Sequence, residues 1–216
     1  GRPRTVNAER LASLARLGFN RLSFGVQDFD PQVQAAVHRI QPAEQVFALM
    51  SEARALGFES INADLIYGLP HQTPESFDRT LAQIESLRPD RIALYAYAHL
   101  PARFKPQRRI HSADLPLPGQ KITMLARSLD ALEKAGYVYV GMDHFALPHD
   151  ALAVAKRQGR LHRNFQGYST RAGSERAVLT AAISLRSPAG PAGTRRSRPA
   201  RRPGSHSRRS AAGWCR

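Results

Sequence analysis

Residues 7–27, NAERLASLARLGFNRLSFGVQ, decide the fold. Leu11, Leu14 and Ala15 recur at the three- and four-residue spacing of one helix face, so the first half is an amphipathic helix. Gly18 falls where a left-handed helix terminus needs a residue without Cβ, and Phe19 is placed to cover the helix end. NRLSFGVQ then reads as a strand. The same unit returns twice, as AEQVFALMSEARALGF followed by ESINADLIYG and as GQKITMLARSLDALEKAGY followed by VYVGMDHFAL. Gly57 and Gly136 repeat the role of Gly18, and Phe58 and Tyr137 that of Phe19.

Between the second and third units lies a helix with a clear start. Thr73 caps it, Pro74 suits its first position, and Glu75 and Asp78 favour the positive end of its dipole. It stops near Pro89, and RIALYAYAHL follows as a buried strand ending at Pro101. Helices alternating with short, nearly continuous apolar strands imply a parallel sheet covered by helices, an α/β architecture that is either a barrel segment or a doubly wound sheet. Residues 103–117 form an irregular, basic extension over one end of the sheet, and HDALAVAKRQG is a short helix.

The 216 residues carry 32 Lys+Arg against 17 Asp+Glu, a net charge of +15 that suggests a polyanionic partner. The charge is unevenly placed, with ten Arg and one acid in the last 43 residues. That tail, rich in Arg, Ala, Ser, Pro and Gly, cannot bury enough apolar surface to offset its ordering entropy and is expected to be disordered. Its only stacking aromatic is Trp214, so nucleic-acid recognition through the tail is not expected, although non-specific phosphate binding is the alternative function it offers. The single cysteine, Cys215, excludes an internal disulfide framework and any cysteine-built metal or iron–sulfur site within the chain. No apolar run reaches membrane-spanning length, and the N-terminus has no signal-peptide pattern, so the expected location is the cytoplasm, without membrane contact.

Ligands of parallel α/β sheets bind at the carboxyl ends of the strands. Three such ends hold polar groups: Gln27 and Asp28 after SFGV, Asp64 inside INADLIYG, and Tyr97 to His99 in YAYAHLP. A carboxylate within a buried strand needs a partner, so Asp64 is either hydrogen-bonded to a turn or an acceptor for a ligand hydroxyl or amine. Arg39 is either a solvated helix-end cation or an anion contact. The histidines show no HExxH spacing, so no zinc site is expected; neither a glycine-rich phosphate loop nor a GxSxG elbow is present.

The strings GFNRLSFGVQDFD, VHRIQP, INADLIYGLPHQTPESF, LYAYAHLP, ADLPLP, GMDHFALPHDALAVA and LHRNFQGYST closely resemble the oxygen-independent coproporphyrinogen III oxidases, haem-synthesis dehydrogenases of the radical S-adenosylmethionine family. The match runs in order from about Pro3 to Gly173. GMDHFA and HRNFQGY separate this family from the related haem chaperones, which share only the GVQ and GLP elements.

The resemblance implies a partial, six-stranded (β/α) barrel. It also implies S-adenosylmethionine bound near a 4Fe-4S cluster, and oxidative decarboxylation of coproporphyrinogen III to protoporphyrinogen IX by a 5′-deoxyadenosyl radical, in a monomer. Its S-adenosylmethionine contacts fall on Gln27, Arg39, Asp64 and Ala98. Asp143, His144, Arg163 and Gln166 are candidates for substrate contact or supporting hydrogen bonds, with turn and helix-end bonding the alternative for each. The expected organisation is a half barrel over 1–102, a barrel extension over 103–173, and a disordered tail over 174–216 that reads as a frameshifted continuation. The family's CxxxCxxC cluster loop would precede residue 1 and its helical C-terminal domain would follow. Without cluster cysteines this chain alone is expected to be inactive, and a degenerate porphyrin- or haem-binding fragment is the alternative.

Overall fold

The structure, a computed structural model, describes residues 7–164 and 167–170. The expected tail at 174–216 and Gln166 lie outside the described residues. The chain order is α1 (Ala8–Arg16), β1 (Arg21–Gln27), α2 (Pro31–Ala36), α3 (Ala43–Ala55), β2 (Ser60–Tyr67), α4 (Pro74–Leu87) and β3 (Arg91–Ala96). Two short 3-10 turns (Lys105–Arg109 and Ser112–Asp114) follow, then α5 (Pro118–Lys134), β4 (Val138–Gly141), β5 (His144–Ala146), α6 (Ala151–Arg157), β6 (His162–Asn164) and β7 (Gly167–Ser169).

The helix–glycine–aromatic–strand unit has a common geometry. Gly18, Gly57 and Gly136 take φ of 84°, 82° and 87°. The amides of Phe19, Phe58 and Tyr137 then donate back to Leu14, Ala53 and Leu132, closing each helix with the bond that lets the chain reverse into the next strand. At α4, Thr73 and Ser76 form a reciprocal capping box with Pro74 in the first turn.

The main sheet has the order β1-β2-β3-β5-β4. The pairs β1–β2 and β2–β3 are parallel, as the crossover helices require. The remainder departs from the all-parallel expectation. VYVGMDHFAL is not one strand but a hairpin, in which β4 reverses through Met142 and Asp143 into β5. Gly141 at φ 141° and Met142 at φ 48° make the reversal, and β5 inserts antiparallel between β3 and β4. The strand read in RIALYAYAHL is also shorter, because β3 ends at Ala96 and its last two residues are exposed.

Alternation along the strands separates two faces. Leu22, Phe24, Ile61, Leu65, Ile92, Leu94 and Phe145 are buried against Leu11, Met50, Phe77, Ile84, Met124 and Leu132 of α1, α3, α4 and α5. Each of these large side chains contributes about 1.5–3 kcal/mol on leaving water. The alternate positions Ser23, Asn62, Asp64, Arg91 and His144 are only partly buried and form the opposite, polar face. At the far end of the strands Asp150 accepts from Arg91, Ser60 and the amide of Leu152, which docks α6 against the sheet.

Candidate functional site

The site grows from the carboxyl end of β1. Gln27 closes the strand in the left-handed region, at φ 66°, with a register shift between Gly25 and Gln27. The Gly25 carbonyl accepts from Arg39 Nη2 at 2.7 Å. A Cβ at Gly25 would lie 2.6 Å from Arg39 Nη2 and 2.8 Å from Gln27 Nε2, so glycine is what lets both side chains close over the strand.

Arg39 reaches this point through a locked turn. Asp30 caps α2, and at its end His38 takes φ 54° so that the Arg39 amide can donate to Gln34. The buried Gln34 amide donates to the carbonyls of Asp28 and Gln41, both at 2.8 Å, and accepts from the Gln41 amide. Burial pulls the Arg39 guanidinium below the usual arginine range, and the Asp64 carboxylate opposes that shift.

Asp64 lies opposite Gly25 on one side and Ala93 on the other. It accepts from Asn62 Nδ2 at 2.7 Å and Ser23 Oγ at 3.1 Å, while Asn62 also donates to Ser23. Burial raises its carboxyl above the ordinary range; the hydrogen bonds from Ser23 and Asn62, then the His144 and Arg39 charges, oppose the rise. The two donors leave acceptor sites on Asp64 for a ligand.

Ala98 follows β3 and is exposed, its carbonyl bonded to Gln107 Nε2 at 3.0 Å. Gln107 thereby ties the basic 3-10 turn to the strand end. Gln27, His38, Arg39, Tyr97, Gln107 and Arg109 line a cavity of about 390 Å³ with no carboxylate among its lining residues. Such a lining suits an anionic group, and a guanidinium held by its neighbours suits a carboxylate in particular.

The remaining candidates divide. His144 stands two strands from Asp64 on the same face, and burial lowers its pKa against the pull of Asp143 and Asp64. Asp143, in the hairpin turn, lines a different cavity of about 700 Å³ between α5 and the β4–β5 hairpin. Arg163 is exposed on the separate β6–β7 ribbon. Asp28, adjacent to Gln27, is 1% exposed and saturated by protein donors. Sequence reasoning missed Ser23, Asn62 and Tyr168; the alternate-residue spacing of Asn62 and Asp64 was the available signal for one of them.

S-adenosylmethionine fits these groups: Arg39 would take its carboxylate, Asp64 a hydroxyl or its ammonium, and Gln27 a further polar atom, at the Gly25 cradle. A 4Fe-4S cluster does not fit this chain, which has one cysteine, and among the described residues no group of His, Cys, Asp or Glu is arranged to hold a metal ion. Nor is any described helix long and apolar enough to cross a membrane.

Residues 2–84 match the Radical SAM superfamily. Over 168 residues, 78% of the chain, it is 56% identical to the oxygen-independent coproporphyrinogen III oxidase of Pseudomonas aeruginosa and covers 36% of that protein. The corresponding Escherichia coli protein is 55% identical over the same share of the chain, of which 37% is covered. The solved structure of Escherichia coli coproporphyrinogen III oxidase (HemN), described as a radical SAM enzyme, superimposes with a TM-score of 0.77 at 54% identity, over 79% of this chain and 39% of that one. By sequence and by backbone the chain is thus similar to a little over a third of an oxygen-independent coproporphyrinogen III oxidase, and its N-terminal part carries the radical SAM match.

Proposed function

We propose that this chain is the S-adenosylmethionine-holding portion of an oxidoreductase that oxidatively decarboxylates coproporphyrinogen III to protoporphyrinogen IX in cytoplasmic haem synthesis, and that its sheet is part of a (β/α)6 barrel. One observation carries the proposal: of the four residues singled out by motif, Gln27 and Arg39 line one cavity at the carboxyl end of β1, while Asp64 stands on the neighbouring β2 and Ala98 just past the end of β3. Bound S-adenosylmethionine would supply the sulfonium from which hydrogen-abstracting chemistry starts. The residues do the rest by positioning. Arg39, fixed by Gly25 and Gln41, neutralises the ligand carboxylate; Asp64, oriented by Ser23 and Asn62, fixes the opposite polar end; Gln27 and the backbone at Ala98 close the strand ends over it.

The chain by itself holds this cofactor without running the reaction, because three cluster thiolates cannot come from one cysteine. Reconstitution of the purified chain with iron and sulfide under anaerobic conditions tests this. Sub-stoichiometric iron and no protoporphyrinogen are expected; a full 4Fe-4S complement with turnover would contradict it.

A further inference from the structure

The polar face carries one group that neither the fold nor the Gln27–Arg39–Asp64 set uses. His144 pairs with Ala93 in the sheet, and Ala93 pairs with Asp64, so the three stand in a row across adjacent strands. Strand spacing puts Asp64 and His144 roughly 10 Å apart at the backbone, on either side of the buried Ala93.

The imidazole is fixed from two sides. Tyr95 meets it edge-on at 6.1 Å and Tyr168 at 5.9 Å, both with planes at 87°. Tyr168 reaches its place because position 141 is glycine; a Cβ there would come 2.6 Å from the Tyr168 hydroxyl. Yet His144 Nδ1 is buried and has no hydrogen-bond partner among the described residues. An orphaned buried nitrogen is costly to the fold, and a ligand group placed against it would remove that cost.

We infer that His144 is a further ligand-contacting residue of this site, its Nδ1 hydrogen-bonding a hydroxyl or amine of the same ligand that Asp64 accepts from, so that the two side chains grip one polar group from opposite sides of Ala93. The inference rests on the proposal that this face holds S-adenosylmethionine. Calorimetric titration of the full chain with S-adenosylmethionine tests it on the wild type and three variants. His144→Phe keeps a ring between Tyr95 and Tyr168 but removes Nδ1, and is expected to weaken binding about tenfold without lowering the melting temperature. His144→Asn restores a polar atom near Nδ1, and is expected to bind within about threefold of wild type. Should His144→Phe bind as tightly as wild type while Asp64→Asn does not, the role of His144 is overturned and the cofactor proposal stands. Equal loss in Phe and Asn variants also overturns it, because a lost packing role would explain both. A wild-type chain that binds no S-adenosylmethionine overturns both proposals together.

Discussion

Two aspartates sit on neighbouring strands, Asp28 just past the end of β1 and Asp64 midway along β2, and their surroundings assign them opposite tasks. Asp28, just past β1, is 1% exposed and accepts from the Asp30 amide and Thr80 Oγ, both at 2.7 Å, and from the Gln72 side chain. Two of these three donors come from the loop before α4 and from α4 itself, so the carboxylate fastens a helix to a strand end. Asp64, on β2, is less buried and has two side-chain donors, both from its own sheet face. Burial raises both carboxyls. The difference lies in saturation: one carboxylate is taken up by three donors of the fold, and the other keeps more acceptor sites free on the polar sheet face.

The comparison breaks most visibly at Asp28. Asp28→Ala strands three donors in the interior and is expected to cost about 3 kcal/mol in urea denaturation. A loss below about 0.5 kcal/mol would mean the knot contributes nothing. Gly25→Ala comes next, because it forces a methyl between Arg39 and Gln27 without deleting any functional group. It should cost about 1–3 kcal/mol of stability and also weaken S-adenosylmethionine binding, and unchanged affinity would refute the cradle.

Asp64→Asn should show the inverse of Asp28→Ala, weakening the ligand about tenfold while leaving the melting temperature unchanged or higher. The sign follows from titration. The folded chain protonates Asp64 more readily than the unfolded chain, whose carboxyl sits near the ordinary 3.8. Its stabilising contribution is therefore complete below that value and is lost as pH rises through the raised folded value. The Asn variant removes that loss, so the wild-type minus variant stability difference should shrink on acidification; a difference independent of pH would contradict the burial of the charge. The smallest effect is expected for Arg39→Lys, which keeps the charge but not the planar fork that spans Gly25 and the ligand, at about three- to tenfold in affinity.

How much of this was legible in the sequence depends on contact range. The helix–Gly–aromatic–strand units and the α4 cap are local, set by spacing and by φ at single glycines, and they appear where the residues place them. The β4–β5 reversal was not legible, because VYVGMDHFAL is apolar on both sides of a two-residue turn and only the Gly141 backbone marks the break. The two aspartates could not be told apart, since the partners of Asp28 arrive from Gln72 and Thr80, 44 and 52 residues away. Gln27, Arg39 and Asp64 were found through motif strings, whereas Ser23, Gly25 and Tyr168 act through shape and neighbours that no string announces.

The central claim is that the cofactor-holding groups are in place in a chain that lacks cluster thiolates. Equilibrium dialysis of radiolabelled S-adenosylmethionine against the purified, iron-free chain tests it most directly. Saturable binding of one molecule per chain, lost together with Asp64 but not with Cys215→Ser, is the predicted result. Absence of saturable binding, or binding indifferent to Asp64, would contradict it.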